Sequence, residues 1–419
     1  MLLLIFSVAI NIISSYLVGI STNQTRKKWC AILGVTINLI TLAFFKYSGL
    51  IAITFFNSAD TLFDFLNTIP LPIGISFFTF QGISLVVDTY RDELTTEEKN
   101  KFPKYGLNVA LFISFFPQLI AGPIVKAHDF IPQIKTKTRK DIHWEDVIKY
   151  LILGYFLKSF VADNLKDYTY WIAYPFFETK SSITLIFMLF GYSMQIFSDF
   201  AGYSLIAIGI AGLFGYQLKQ NFNFPYIAQS FSDFWKRWHI SLSSFLKEYL
   251  YFPLGGNRKG KVRTYINLLL TMILGGLWHG AAWSYAVWGL FHGILLATER
   301  LLQDLVHIRN NHILKTVKFS VVFIMVSIGW LLFKLPEFSD AVKYIYSIIH
   351  NTELNPDYSN ITYIIIYSTP IIVYHISYLL RSTNSYNKVK KYSYLAYGFM
   401  LFLILTNSGT SQEFIYFQF

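Results

Sequence analysis

The chain has 419 residues, 54% of them hydrophobic, 19% aromatic and only 14% charged, with a mean hydropathy of +0.43. That balance excludes an ordinary soluble globule and describes an all-α polytopic membrane protein. The net charge of +11 does not point to nucleic acid as a partner, because the cations cluster in short loops between apolar stretches, where a positive-inside bias accounts for them.

A helix needs about 20 mostly apolar residues to cross the hydrocarbon core. In chain order, candidate stretches are predicted at Leu2 to Ile20, Trp29 to Phe45, Leu71 to Val87, Tyr105 to Ile120, Val147 to Val161, Ile183 to Phe197 and Leu205 to Tyr216. Further ones are Tyr265 to Trp278, Trp283 to Ala297, Val317 to Phe333, Ile361 to Leu380 and Tyr392 to Leu405, some of them buried or re-entrant. The first has no basic flank and no small-residue cleavage site, so it reads as a retained span. Basic clusters fall at Arg26 to Lys28, Lys135 to Lys140, Arg258 to Arg263 and Lys388 to Lys391. No long linker and no repeat interrupts the pattern, so residues 1–419 read as one membrane-embedded domain.

The least apolar segments, Thr95 to Lys104 and His128 to Asp146, are predicted to be surface loops. His143, Glu145 and Asp146 lack the His-Glu-x-x-His spacing that places two imidazoles on one helix face, so they read as scattered charges and no metal is implied. Cys30 is the only cysteine, which excludes an internal disulfide, a thiolate metal cluster and a cysteine relay.

Asp233 to Phe252 is predicted to be a single amphipathic helix. At 100° per residue, Phe234, Trp235, Trp238, Leu242, Phe245, Leu246 and Tyr249 share one face, with Lys236, Arg237, Ser244, Lys247 and Glu248 opposite. Such a helix lies in the interface or re-enters the protein. His239 falls at the border of its apolar arc, and Gly255-Gly256-Asn257 supplies the turn that ends it.

Two histidines stand apart: His239 in Arg237-Trp238-His239, and His279 in Gly275-Gly276-Leu277-Trp278-His279-Gly280. A polar residue at membrane depth is costly, so each reads either as a hydrogen-bonded core residue or as a functional one. Neutral imidazole can take a proton from a hydroxyl and return it. Gly275, Gly276 and Gly280 permit close approach by backbone or substrate, and Trp238 and Trp278 provide rigid walls. His292, in Phe291-His292-Gly293, carries the same ambiguity. His307, His312, His350 and His375 lie near span ends, where an interfacial role is expected.

These segments resemble the core signature of the membrane-bound O-acyltransferases, in the bacterial branch of the alginate O-acetylation protein. The resemblance rests on Asp233 to His239, the turn Gly255-Gly256-Asn257-Arg258, Gly275 to Gly280, and Trp288-Gly289-Leu290-Phe291-His292-Gly293. Pro70 to Phe78, Phe116 to Ile124 and Gln195 to Tyr203 extend it over most of the chain, around a signature core at about residues 190–300. It implies a helical bundle with re-entrant and amphipathic helices around a central funnel, His279 as the essential catalytic residue and His239 as the second active-site position. Asp199, Arg237, Trp238, Asn257 and Trp278 are weaker candidates for lining that funnel. Family members usually carry one or two more hydrophobic segments ahead of the motif near Phe77. This chain starts directly at Met1-Leu2-Leu3, so it reads either as truncated at the N-terminus relative to the family or as given from a misplaced start codon.

The closing Phe414-Ile415-Tyr416-Phe417-Gln418-Phe419 reads as an interfacial aromatic belt, or as an acyl relay in which the Tyr416 hydroxyl carries the group as an ester. The resulting expectation is a bacterial inner-membrane O-acyltransferase with no bound cofactor. It would take acetyl from acetyl-CoA or another thioester and move it toward an alginate-like polysaccharide or peptidoglycan. Expected partners are membrane lipid and a periplasmic acetyltransferase, the latter because the chain has no sizeable periplasmic domain of its own. The rivals are a transporter or flippase, which calls for internal symmetry that the sequence lacks, and a non-catalytic scaffold of an envelope complex.

Overall fold

The structure is a computed structural model that describes residues 2–94, 101–119, 122–305, 312–380 and 392–410. The described residues form helices and loops without a strand. Their contacts gather into two compact units, residues 1–144 with 210–219, and residues 145–209 with 220–419.

In the first unit the principal helices are α1 (Leu2–Ile20), α2 (Gln24–Phe55), α3 (Ile75–Tyr90) and α4 (Phe102–Ser114). Asn23 caps α2, its side chain accepting from the N–H groups of Thr25 and Arg26 at 2.9 and 3.2 Å. Lipid-type side chains such as Leu2, Ile5, Trp29 and Leu33 point outward, while α1 turns Ser7, Asn11, Ser14 and Ser15 inward, beside an apolar core that includes Phe78, Phe112 and Phe130. Asn11 and Asn38 exchange amide hydrogen bonds of 3.2 and 2.9 Å, and the Tyr105 hydroxyl donates to Ser15 at 2.7 Å. Between apolar helices in lipid, such polar bonds and small residues supply the contact that hydrophobicity cannot. A Cβ on Gly82 would lie 2.4 Å from the Asn11 amide, so only glycine lets α3 reach this point.

His128, expected in a surface loop, is tied to the interior instead. Its backbone N–H donates to the fully buried Asp88 at 3.1 Å, and its Nδ1 lies 3.0 Å from the same oxygen. Residues 127–130 form a short helix there, so only part of the predicted loop is free surface.

The second unit begins with α5 (Trp144–Tyr155), which continues as a π-helical turn over Phe156–Ala162. Next come α6 (Ser182–Leu213), α7 (Phe231–Arg237) and α8 (Ile240–Leu246), with a second π-helical turn at Lys247–Tyr251. The remaining helices are α9 (Gly260–His279), α10 (Trp283–Leu305), α11 (His312–Lys334), α12 (Phe338–His350), α13 (Tyr358–Leu380) and α14 (Ser393–Thr406). Among the described residues, five helices are long and apolar enough to cross a membrane: α1, α2, α6, α11 from Lys315, and α13.

Two sequence expectations change here. The stretches Ile183 to Phe197 and Leu205 to Tyr216 are not separate spans, because one 32-residue helix, α6, runs through the polar and small residues between them. The predicted helix Asp233 to Phe252 is broken at Trp238 and His239. There the chain segment 221–223 takes over the backbone hydrogen bonds: Asn223 N–H donates to the Arg237 carbonyl and Ile240 N–H donates to the Asn221 carbonyl, both at 2.9 Å. His239 itself is left-handed, with φ 43° and ψ 53°. A tertiary contact thus overrides an unbroken apolar periodicity.

Candidate active site

The helical hairpin α9–α10 places His279. Gly276 and Gly289 face each other where the two helices cross: a Cβ on Gly276 would lie 2.2 Å from the Tyr285 carbonyl oxygen, and one on Gly289 2.2 Å from that of Met272. Backbone therefore fills the space the glycines leave, and His279, the last residue of α9, is held one turn beyond the contact. Gly280 ends the helix under the Tyr285 ring, with no room for a side chain.

His279 is 3% exposed. Its ring meets Trp278 and Trp288 at centroid distances of 5.2 Å and Phe333 at 5.5 Å, all near perpendicular. His239 stands 6.0 Å from it, centroid to centroid, and is fully buried with its ring edge-on to Phe200 at 4.5 Å. Residues 40 apart in sequence thus form one imidazole pair in an aromatic enclosure.

Asn221 fixes the chemistry of His239. Its Oδ1 accepts from the Ser241 backbone N–H at 3.1 Å and from the Ser241 hydroxyl at 2.8 Å, and lies 3.1 Å from His239 Nδ1. A backbone N–H can only donate, so the atom facing it is the carbonyl oxygen of the amide, not the nitrogen. His239 Nδ1 facing that same oxygen must then carry the proton, which leaves Nε2 as the basic nitrogen of the neutral ring. The Asn221 amide group donates in turn to Ser204 at 3.2 Å. A cavity of about 230 Å³ reaches this point; Ser204, Asn221 and Phe197 form part of its wall, and Gln220 and Asn223 stand exposed beside them.

The other sequence candidates separate. Trp278 belongs to the enclosure, as described. Trp238 is buried against Trp330 at 4.8 Å and Phe222 at 5.0 Å, one residue from His239, and acts as a wall behind it. Arg237 points elsewhere, bonding Asp233 at 2.8 Å and the Asn223 carbonyl at 3.3 Å. Asn257 is exposed on the turn after α8, hydrogen-bonded to Tyr251. Asp199 takes part in a buried ion cluster: Lys158 lies 2.8 Å from it and 2.6 Å from Asp163. Its neighbour on α6, Phe200, is the one that meets His239. Tyr416 lies outside the described residues, as do Lys388 to Lys391 and His307.

His292 is fully buried, between Trp288 at 4.9 Å and Trp235 at 5.2 Å. His375, expected near an interface, is 7% exposed inside α13, where it accepts from the Tyr226 N–H at 3.2 Å. That hydrogen bond explains its burial. Sequence reasoning missed Asn221, Ser241 and Phe200. The available signal was the run of amides Gln220, Asn221 and Asn223 in an otherwise aromatic segment.

The five membrane-length helices among the described residues and a buried imidazole pair define the class: a multi-pass membrane protein with an interior polar site suited to proton transfer. The sequence profile of the membrane-bound O-acyltransferase family matches residues 91–335, which contain both histidines, and the chain belongs to that family. It is 36% identical over 361 residues to the peptidoglycan O-acetyltransferase of Helicobacter pylori, covering 80% of this chain and 68% of that protein. It is 39% identical over 326 residues to a protein of Pseudomonas aeruginosa named "probable alginate O-acetylase", covering 76% and 60% respectively. The teichoic acid D-alanyltransferase of Bacillus subtilis is 31% identical over 235 residues, 54% of this chain and 58% of that one. This chain therefore spans roughly three fifths to two thirds of the length of these relatives.

Proposed function

We propose that the chain catalyses O-acyl transfer in the bacterial inner membrane, taking acetyl from a cytoplasmic thioester such as acetyl-CoA and moving it toward a hydroxyl of an envelope or exported polysaccharide. The observation that carries this reading is the buried pair of His239 and His279 at 6.0 Å within the family core. In this reading His279 acts as general base on the attacking hydroxyl, drawing its proton as the oxygen attacks the thioester carbonyl; the C–S bond breaks as the ester forms, and the imidazolium returns the proton to the departing thiolate. His239, with Nδ1–H held by Asn221, presents Nε2 toward the reacting groups and orients one of them. The aromatic walls exclude water, which would otherwise hydrolyse the thioester.

The names of the three relatives describe transfer of acetyl or D-alanyl groups, which favours a transferase over a transporter or scaffold. The polymer is read as alginate-like or as peptidoglycan from those names alone. A separate periplasmic protein completes the transfer in this scheme, and Tyr416 is retained as a candidate relay; both rest on family resemblance.

The test is purified protein in liposomes supplied with labelled acetyl-CoA. His279→Ala is expected to abolish thioester consumption while the protein still inserts and elutes as a single species. Retained consumption in that variant would refute the assignment.

A further inference from the structure

A second cavity is separate from the histidine pair. It has a volume of about 520 Å³ and lies among α6, α11 and α13, three helices of membrane-spanning length. On α11 its wall runs from Lys315 to Phe323, and on α13 from Ile371 to Leu379. Eight residues at 1.5 Å each give a length of about 12 Å. That is close to the roughly 15 Å of hydrocarbon in one leaflet.

Its two ends differ in chemistry. At the inner end Phe323 meets Tyr226 at 5.3 Å, and the polar groups there are already used. The Tyr226 hydroxyl donates to the Ser193 carbonyl, Tyr226 N–H donates to His375 Nε2, and His375 Nδ1 donates to the Ile371 carbonyl at 2.8 Å. The floor offers nothing to a polar ligand and suits hydrocarbon. At the other end of the α11 wall stands Lys315, exposed, and no acidic residue is among the described residues that line the cavity. The rim is open and apolar, with Ile372, Ile376 and Leu379 between 38% and 60% exposed.

We propose that this groove is a binding site for one anionic glycerophospholipid, its acyl chain lying along α11 and α13 and its phosphate paired with Lys315. A hydrocarbon floor alone would accept any lipid; the cation at the mouth selects for negative charge, as basic residues at a membrane surface do. The site is independent of the reaction at His279.

The experiment uses the full chain in detergent, incubated with equal amounts of phosphatidylglycerol and phosphatidylcholine of identical chains, and reads bound lipid by native mass spectrometry. Wild type is expected to retain one phosphatidylglycerol with a preference of about fivefold. Lys315→Glu removes the preference but keeps lipid bound, and Ile372→Trp, which fills the groove, loses both lipids. Ile376→Trp on the rim is the second filling variant, used if the first does not fold. Equal retention of the two lipids by wild type, a preference that survives Lys315→Glu, or a folded filling variant that binds like wild type would each overturn the proposal.

Discussion

Replacing Asn221 probes the imidazole pair without touching either histidine. In Asn221→Ala the carbonyl that serves three donors is lost. The Ser241 hydroxyl can rotate to another acceptor and His239 can move its proton to Nε2, but the Ser241 N–H is fixed by the start of α8. One buried donor left without an acceptor costs about 1–3 kcal/mol, read as a lowered melting temperature. The lost neutral hydrogen bond to Nδ1 is worth about 1 kcal/mol, so the tautomer ratio and with it kcat are expected to fall about fivefold or more. Asn221→Asp makes the sharper test, because it keeps an acceptor and adds a negative charge. A carboxylate beside Nδ1–H stabilises the imidazolium, so His239 holds its second proton to higher pH. The acid limb of kcat against pH therefore moves upward in Asn221→Asp and does not move upward in Asn221→Ala, where the imidazolium loses an acceptor. The assay is thioester consumption in liposomes across the pH range. Superimposable profiles for wild type and Asn221→Asp would refute the reasoning, since a purely structural defect lowers the rate equally at every pH.

Gly276→Ala drives a methyl group onto the Tyr285 carbonyl at 2.2 Å, so α9 and α10 must part; a loss of at least about 1–3 kcal/mol is expected in thermal unfolding. Gly275→Ala meets only the mobile end of Leu246 at 2.8 Å and should be milder; equal losses in the two variants would contradict the hairpin geometry. Lys158→Met leaves Asp163 and Asp199 buried without their cation, and is expected to cost about 3–5 kcal/mol; a wild-type melting curve would show the cluster to be dispensable. Tyr416→Phe is expected to reduce acetylation in cells if the hydroxyl is a relay, and full acetylation would remove it from the scheme.

His279 stood out in the sequence because a polar residue flanked by glycines inside an apolar helix reads either as a hydrogen-bonded core residue or as a functional one; the family resemblance, not the residues alone, favours the second reading. His239 could be named but not placed. Phe234, Trp235, Trp238 and Leu242 keep a helical period straight through the break, and the segment that imposes the break lies 18 residues earlier. Asn221 was missed for a related reason: its run of amides was a signal, but amides between spans look like an ordinary polar loop until the fold shows which hydrogen bonds they capture. The cluster of Lys158, Asp163 and Asp199 joins residues up to 41 positions apart, and no periodicity in one sequence reports such a pairing. Helix existence was largely legible, since lipid exposure demands long apolar runs. Helix continuity was not, because Gly202 and Ser204 look like a boundary yet lie mid-helix in α6.

The left-handed backbone of His239 sets stability against activity at a single position. A side chain with a Cβ is strained in that conformation by about 1 kcal/mol, whereas glycine adopts it freely and asparagine does so more readily than most residues. Folding alone would therefore choose Gly or Asn at position 239 over the histidine. His239→Asn is expected to melt at the same temperature as wild type or higher while consuming thioester more slowly. In a screen scored for both properties, the two readouts should move in opposite directions at this residue, whereas at Gly276 they should fall together.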